Sequence, residues 1–358
     1  MSRRLLALAS LVHLSATPCA LAQLQNAPEI DAVNALGIEL PAEIMRRPPV
    51  SRQLRALARE KCDRQAIYDL SKALEDESFR RQAAEGLVAF SNNCDGYDEA
   101  LRRAINLFLD ISDYGRSIEV ADELIEMQPN NDNGYYLRAV AYERSNRCEQ
   151  AIADYSSAIE LFGNKDKISS VGYQAMSRCY EDLGQFCDAM TPIEAWVALD
   201  PAQHDNDQTR AILRRLGSQG ECAQETKATK EERFRRRGSD VIRVEARIND
   251  VTGTFIVDTG ASFVSVKKAF ADKAGIKASK GQGVRLKTAN GAVDGTLTHA
   301  GSVKLRSLES KRVQVVVLHD DEEDFGDGID GLIGMSFLSR FDIALESRTL
   351  RIRPRKTR

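Results

Sequence analysis

Long apolar runs are scarce in this 358-residue chain. Beyond the first two dozen residues no stretch approaches the roughly 18 apolar residues of a spanning helix, so no integral membrane segment is expected after loss of a leader. Cysteine is missing from the last third: all seven lie at or before Cys222. No Cys-x-x-Cys pair or His/Cys cluster occurs and the four histidines are scattered, so no metal and no cofactor is expected. Met335-Ser336-Phe337 lacks the glycine-flanked elbow of a serine hydrolase. No stretch interleaves aromatic and basic residues, so nucleic acid is not an expected partner.

The chain begins with a basic pair, Arg3-Arg4, then an apolar stretch from Leu5 to Leu14 and the small-residue site Ala20-Leu21-Ala22. This is the pattern of a secretory signal over 1–22, cut before Gln23. Cys19 would suggest a lipoprotein cut, but Pro18 occupies a place where a small residue is wanted. Export is therefore expected, to a periplasm first and with secretion as the alternative. Loss of Cys19 leaves six cysteines, an even number that favours disulfides in an exported chain.

Charge is uneven. Residues 23–233 carry 25 Lys+Arg against 37 Asp+Glu, and residues 234–358 carry 23 against 16. Two solvated surfaces explain this; so does mutual attraction of the two parts, or a basic part that prefers acidic partners.

From Cys62 to about Gly220 the apolar spacing is helical, with glycine and proline between segments. A self-similarity of 34 residues runs through it. Tyr135, Ala139, Tyr142, Ala151, Tyr155, Ala158 and Gly163 mark one unit. Tyr173, Ser177, Tyr180, Ala189, Ile193, Trp196 and Pro201 mark the next, after a four-residue insertion, and a weaker unit ends with Ser117, Ala121, Leu124 and Pro129. These residues resemble the tetratricopeptide repeat, in which small residues let paired helices approach and aromatics fill the gap. The resemblance speaks to architecture, an all-α repeat domain over 61–222; such a domain is expected to bind a protein or peptide partner, or to place the rest of the chain.

Cys62, Cys148 and Cys187 stand at predicted helix starts, and Cys94, Cys179 and Cys222 near the end of the next helix. Antiparallel neighbours bring a start beside an end, so the expected pairs are Cys62–Cys94, Cys148–Cys179 and Cys187–Cys222. Each closes a loop of roughly 30 residues and would contribute about 3–4 kcal/mol in the chain-entropy model. Residues 23–60, with Pro48-Pro49 and little periodicity, read as an N-terminal arm or poorly ordered lead-in. Residues 223–238 lack an apolar face and are densely charged, and read as a linker.

After Ser239 the period becomes two, giving an all-β domain over 239–358. Val241–Ile248 alternates, Asn249-Asp250 supplies a turn and Gly253–Val257 returns. Further strands are expected at 284–288, 295–299, 302–305, 312–318, 342–346 and 349–352, with short helices at 267–274 and 336–341. Asn290-Gly291 marks a tight hairpin.

Within this domain the apolar strand Phe255–Val257 runs into Asp258-Thr259-Gly260-Ala261-Ser262. A carboxylate after a buried strand is costly unless backbone N–H groups crowd it, which Gly260 permits. About 70 residues on, Leu332-Ile333-Gly334 is a strand entering a short helix, and the Asn290-Gly291 hairpin lies between. This order resembles the retropepsin-like aspartic peptidases. The resemblance implies that Asp258 is the catalytic aspartate, that Thr259 braces the loop across a dimer axis, and that Gly260, Ala261 and Ser262 complete it. It further implies a flap carrying Thr288, Asn290, Gly291, Ala292 and Val293, and support of the loop by Leu332, Ile333 and Gly334. The flap lacks the tyrosine of pepsin-like flaps, so its tip is expected to contact substrate by backbone and by Ala292 or Val293; Ala261 stands where those lobes often have serine, so activity is expected nearer neutral pH.

Such hydrolysis needs two aspartates sharing a proton, and no second Asp-Thr-Gly or Asp-Ser-Gly occurs in the chain. A homodimer would supply the second. The acidic stretch Asp320–Gly331 lacks the ligand spacing of a calcium loop and reads as solvated. The expectation is an exported aspartic endopeptidase acting on a protein or peptide; the alternative is a catalytically silent peptide-binding or dimerising module on an envelope repeat scaffold.

Overall fold

Among the described residues, helices fill the chain from Pro28 to Gln219 and strands dominate after it. The computed structural model describes residues 28–164, 167–235, 241–288, 291–319, 325–346 and 349–354; the expected signal 1–22 lies outside the described residues. Packing divides the chain into two units, with the boundary between Ile111 and Ser112, inside the helical stretch rather than at the charged segment 223–238.

The first unit comprises α1 (Pro28–Ala35), α2 (Ala42–Met45), α3 (Pro48–Arg59), α4 (Arg64–Asp76), α5 (Arg80–Asn93) and α6 (Asp98–Asp110). The lead-in expected to have little regular structure thus holds three helices. Pro48 opens α3 from its first turn, where a missing N–H costs nothing, and Val50, Leu54 and Leu57 recur at helical spacing and are buried. Asp63 caps α4 by accepting from the Gln65 and Ala66 amides, both at 3.0 Å. Cys62, just before α4, is joined to Cys94, just after α5.

The second unit begins with α7 (Tyr114–Met127), α8 (Asp132–Arg144), α9 (Cys148–Leu161), α10 (Ser170–Asp182), α11 (Phe186–Leu199), α12 (Pro201–His204) and α13 (Asp207–Gln219). Asn146 (φ 58°) and Gly184 (φ 70°) hold the same left-handed place in the α8–α9 and α10–α11 turns, so the repeat, lengthened here by the four-residue insertion, is also a repeat of backbone shape. Ala139 and Ala151 are completely buried, letting α8 and α9 lie close. Every residue of α9 from Ala151 to Leu161 is buried. Arg138 on α8 grips buried Asp154 on α9 with Nε and Nη2 at 2.6 and 2.7 Å. Cys187 is joined to Cys222, whereas Cys148 and Cys179 face each other as two buried thiols with sulfurs 2.8 Å apart.

The charged segment expected to be a linker carries two strands, β1 (Thr226–Ala228) and β2 (Glu232–Arg235). They are too short to show a period, and partners elsewhere hold them. β1 lies antiparallel to β8 (Leu308–Leu318), and β2 to β11 (Thr349–Arg353), which also pairs with β10 (Asp342–Glu346). β3 (Ile242–Ile248) and β4 (Val251–Val257) form a hairpin whose turn residues Asn249 (φ 48°) and Asp250 (φ 67°) are both left-handed, as a two-residue turn of this kind demands. Adding β5 (Val264–Val266), β6 (Gln282–Thr288), β7 (Gly291–Leu305) and β9 (Gly331–Ile333) gives the order β1-β8-β5-β9-β4-β3-β7-β6, and β7 pairs back onto β8. The circuit β8-β5-β9-β4-β3-β7 therefore closes into a barrel. The two strands expected at 295–299 and 302–305 are one, because β8 runs along the whole of β7 from Gly295 to Leu305. Short helices α14 (Lys268–Lys273) and α15 (Met335–Leu338) cover the barrel. Its core takes Ile242, Val244 and Ile248 from β3, Phe255 from β4, Val313 and Val315 from β8, and Phe337 and Phe341 from α15 and beyond.

Candidate active site

The strand β4 ends on Asp258. Its apolar residues Phe255 and Val257 are buried, and the carboxylate is carried out at the strand's end, half-buried, with Thr259 and Gly260 exposed beside it. The Asp258 amide donates to the Ile333 carbonyl at 3.1 Å. The Gly260 amide donates to Asp258 Oδ1 at 2.8 Å, a bond that fixes the orientation of the carboxylate. A side chain at Gly260 would stand 3.2 Å from that oxygen.

The loop is fixed by the strand that passes behind it. β9 lies between β4, to which it is parallel, and β5, to which it is antiparallel. Gly334, at its exit, runs against the Phe263 and Ala261 carbonyls; a Cβ there would collide with Phe263 O and come within 2.7 Å of Ala261 O. The chain then turns into α15, and the amides of Met335 and Ser336 donate to the carbonyls of Ala261 and Ser262 at 2.8 and 2.9 Å. Leu332, Ile333 and Gly334 are therefore brought against the 258–262 loop.

Two residues that sequence reasoning passed over complete the support. Ser336 is completely buried; its hydroxyl accepts from the Val264 amide at 2.9 Å and donates to the Gln314 carbonyl at 2.7 Å. A lone polar residue inside the apolar stretch 332–338 was the available signal. Asp330 leaves the acidic stretch for a structural post: its Oδ2 accepts from the Thr254 amide at 2.8 Å and its own amide donates to the Thr254 carbonyl at 2.7 Å. Gly253 makes room for it, since a Cβ there would lie 2.8 Å from that carboxylate. Residues 320–324 of the acidic stretch lie outside the described residues.

The expected flap is the hairpin of β6 and β7. Asn290 lies outside the described residues; Thr288 Oγ1 donates to the Gly291 carbonyl at 2.9 Å and closes the turn. Ala292 and Val293 are half-buried. The hairpin shares no sheet pairing with the 258–262 loop among the described residues. Phe263, five residues beyond Asp258, joins Val284, Leu286 and Leu297 of the hairpin in one buried cluster, and Tyr155, Ile159, Tyr173 and Met176 of the repeats belong to the same cluster. Among the described residues no group of histidine, cysteine and carboxylate side chains converges as a metal site would require, and no helix is long and apolar enough to cross a membrane.

Residues 244–340, which run from β3 to just beyond α15, match the family model described as "gag-polyprotein putative aspartyl protease". Serine/threonine-protein phosphatase 5 of Homo sapiens is 32% identical over 109 residues, which are 30% of this chain and 21% of that protein; the chain thus spans about a fifth of the length of that curated relative. Among solved structures, a retropepsin-like aspartic protease from Rickettsia conorii is 28% identical, covering 35% of this chain and 90% of that chain at a TM-score of 0.29. A thermophilic TPR protein from Thermus thermophilus is 14% identical, covering 48% of this chain and 88% of that chain at a TM-score of 0.33. Residues 244–340, built around the loop that Gly334 and Ser336 hold in place, are a retropepsin-like aspartyl protease domain, set C-terminal to a region of tetratricopeptide-like helical repeats.

Proposed function

We propose that the chain is an exported aspartic endopeptidase whose catalytic pair forms when two copies meet, with Asp258 contributed by each. One observation carries this: a carboxylate at the end of a buried strand, oriented by the Gly260 amide, on a loop whose Thr259 and Gly260 are exposed. A two-fold axis at that tip sets the carboxylate beside its twin. Two carboxylates about 3 Å apart retain one proton between them. The ionised member takes a proton from water, whose oxygen attacks the scissile carbonyl carbon; the protonated member polarises the carbonyl oxygen. The C–N bond then breaks and the leaving nitrogen takes a proton, giving a carboxylic acid and an amine. Thr259 braces the two loops across the axis, and Ala261, having no hydroxyl to donate, leaves the pair less acidic than a serine would.

The protein or peptide substrate is cut by the 239–358 part, and the helical 61–222 part binds a protein partner. Residues 1–22 direct export, to a periplasm first. The test is cleavage of a peptide library by the full chain and by Asp258→Ala, alongside sedimentation. Cleavage that requires Asp258 and rises with the dimer fraction is the expected result. Turnover that survives in Asp258→Ala removes the assignment, and a strictly monomeric, inert chain favours the silent binding module. A pH–rate maximum at about pH 3 would contradict the role given to Ala261.

A further inference from the structure

The flap is an edge. β6 ends the sheet order, so one side of it presents backbone N–H and C=O groups with no strand partner among the described residues, a state that proteins cover or blunt. Here the repeats cover it. The Arg285 amide, on that outer side, donates to Ser157 Oγ on α9 at 2.9 Å, and Ser157 is almost fully buried. The Arg285 side chain extends the grip: Nε donates to Asn130 Oδ1, in the α7–α8 turn, at 2.9 Å, and Nη1 bonds Asp294 of the opposite flap strand at 2.7 Å.

Apolar contacts follow the same line. Val284, Leu286 and Leu297 are buried in one cluster with Tyr155, Ile159, Tyr173 and Met176, and Val293 packs on its margin. Nearer the tip, Ala292 packs against the cluster of Tyr135, Ala158 and Leu161. A flap that must rise to admit a peptide has its apolar face committed to the repeats. The repeats reach the loop as well: Ser262 and Phe263 line a small apolar cleft with Ile159, Tyr173, Met176 and Pro192.

We infer that helices α8 and α9 hold the flap hairpin, with Ser157 and Asn130 as its positioning residues, so that the cleft opens only when the hairpin lifts off the repeats. The repeats are then a built-in restraint on the same domain that the peptidase proposal concerns. The latency of the intact chain rests on that proposal; the restraint itself does not.

Hydrogen exchange on the full chain tests the restraint without any activity. Amides of 282–288 and 291–297 should exchange slowly in the wild type. Loss of the buried acceptor in Ser157→Ala should speed exchange at Arg285 and its neighbours about fivefold, with β3 and β4 unchanged, and Ser157→Thr should restore the slow rate. Asn130→Ala, at a more exposed site, should give a smaller rise in the same segment. Flap amides that exchange freely in the wild type overturn the inference, and so does a rise spread equally over β3 and β4 in both alanine variants. In the peptide assay kcat/KM should rise with the flap exchange rate. If no variant shows Asp258-dependent cleavage the peptidase proposal fails, while the exchange data still decide whether the repeats hold the flap.

Discussion

Arg340 Nη2, just beyond α15, reaches Asp188 Oδ1 on repeat helix α11 at 3.4 Å; Asp188 is buried and Arg340 partly so. Arg340 also donates to Ser310 Oγ and to the Lys311 and Arg312 carbonyls at 2.8–3.0 Å. Its guanidinium spends its fork on the barrel and on the repeats together. His299 Nε2 lies 3.1 Å from the other Asp188 oxygen.

Arg340→Ala should therefore cost about 3–5 kcal/mol in urea denaturation, because it leaves the Asp188 charge buried with weaker partners. Arg340→Lys should recover less than half of this, since an ammonium cannot serve the three barrel acceptors and Asp188 at once. A loss below about 1 kcal/mol for the alanine variant would show that His299 and Arg312, whose Nη2 lies 3.8 Å from Asp188 Oδ2, suffice for Asp188.

Gly334→Ala puts a methyl group into the Phe263 carbonyl. The 258–262 loop must shift or β9 must leave its place between β4 and β5. A loss of more than about 3 kcal/mol is expected, as for other backbone collisions in a packed core, with loss of any Asp258-dependent cleavage. Thermal melts alongside the peptide assay measure both; full stability in this variant would mean that the loop is held more loosely than the Met335 and Ser336 hydrogen bonds imply.

Glu232 ties β2 to the barrel domain. Burial pushes its carboxyl up, but hydrogen bonds from Ser307 and Arg306 and the Lys230 charge outweigh this and hold it below the ordinary value. A carboxyl that is lowered in the folded state stabilises above its unfolded pKa and loses that contribution as pH falls through the folded value. The Tm difference between wild type and Glu232→Gln should therefore favour the wild type at pH 7 and shrink below about pH 4. A difference that stays constant from pH 7 to about pH 3 would remove the linkage.

Cys148 and Cys179 form the third expected pair, and their sulfurs are in contact. Burial pushes both thiols above the usual range, so neither is a ready nucleophile once folded. Oxidation before or during folding should yield the Cys148–Cys179 crosslink in protein folded under oxidising conditions, seen by non-reducing peptide mapping. A crossed pair with Cys62, Cys94, Cys187 or Cys222 would overturn the expected layout.

Much of the site was legible because its chemistry is local. Asp258, Gly260 and Gly334 announce themselves by type and spacing: a carboxylate after an apolar strand needs a donor, and a strand passing behind a loop needs a residue without a Cβ. The partners of Ser336 and Asp330 were not legible, because each serves a backbone amide more than 70 residues away. The segment 223–238 read as a linker for a related reason. β1 and β2 are only three and four residues long, and their ordering comes from β8 and β11, which local periodicity does not report.

The amino-acid order by itself determined the change from helical to strand period, the 34-residue repeat and the Asp258 loop, since each depends on residues near one another in the chain. Tertiary structure alone decided what the repeats touch. α9 is buried from Ala151 to Leu161, Asp154, Ser156, Ser157 and Glu160 included, which so mixed a sequence does not announce; only the packed chain shows that one of its faces meets the edge strand carrying Arg285. Edge hydrogen bonds and shared cores are made between distant segments, so their partners are chosen by the fold as a whole.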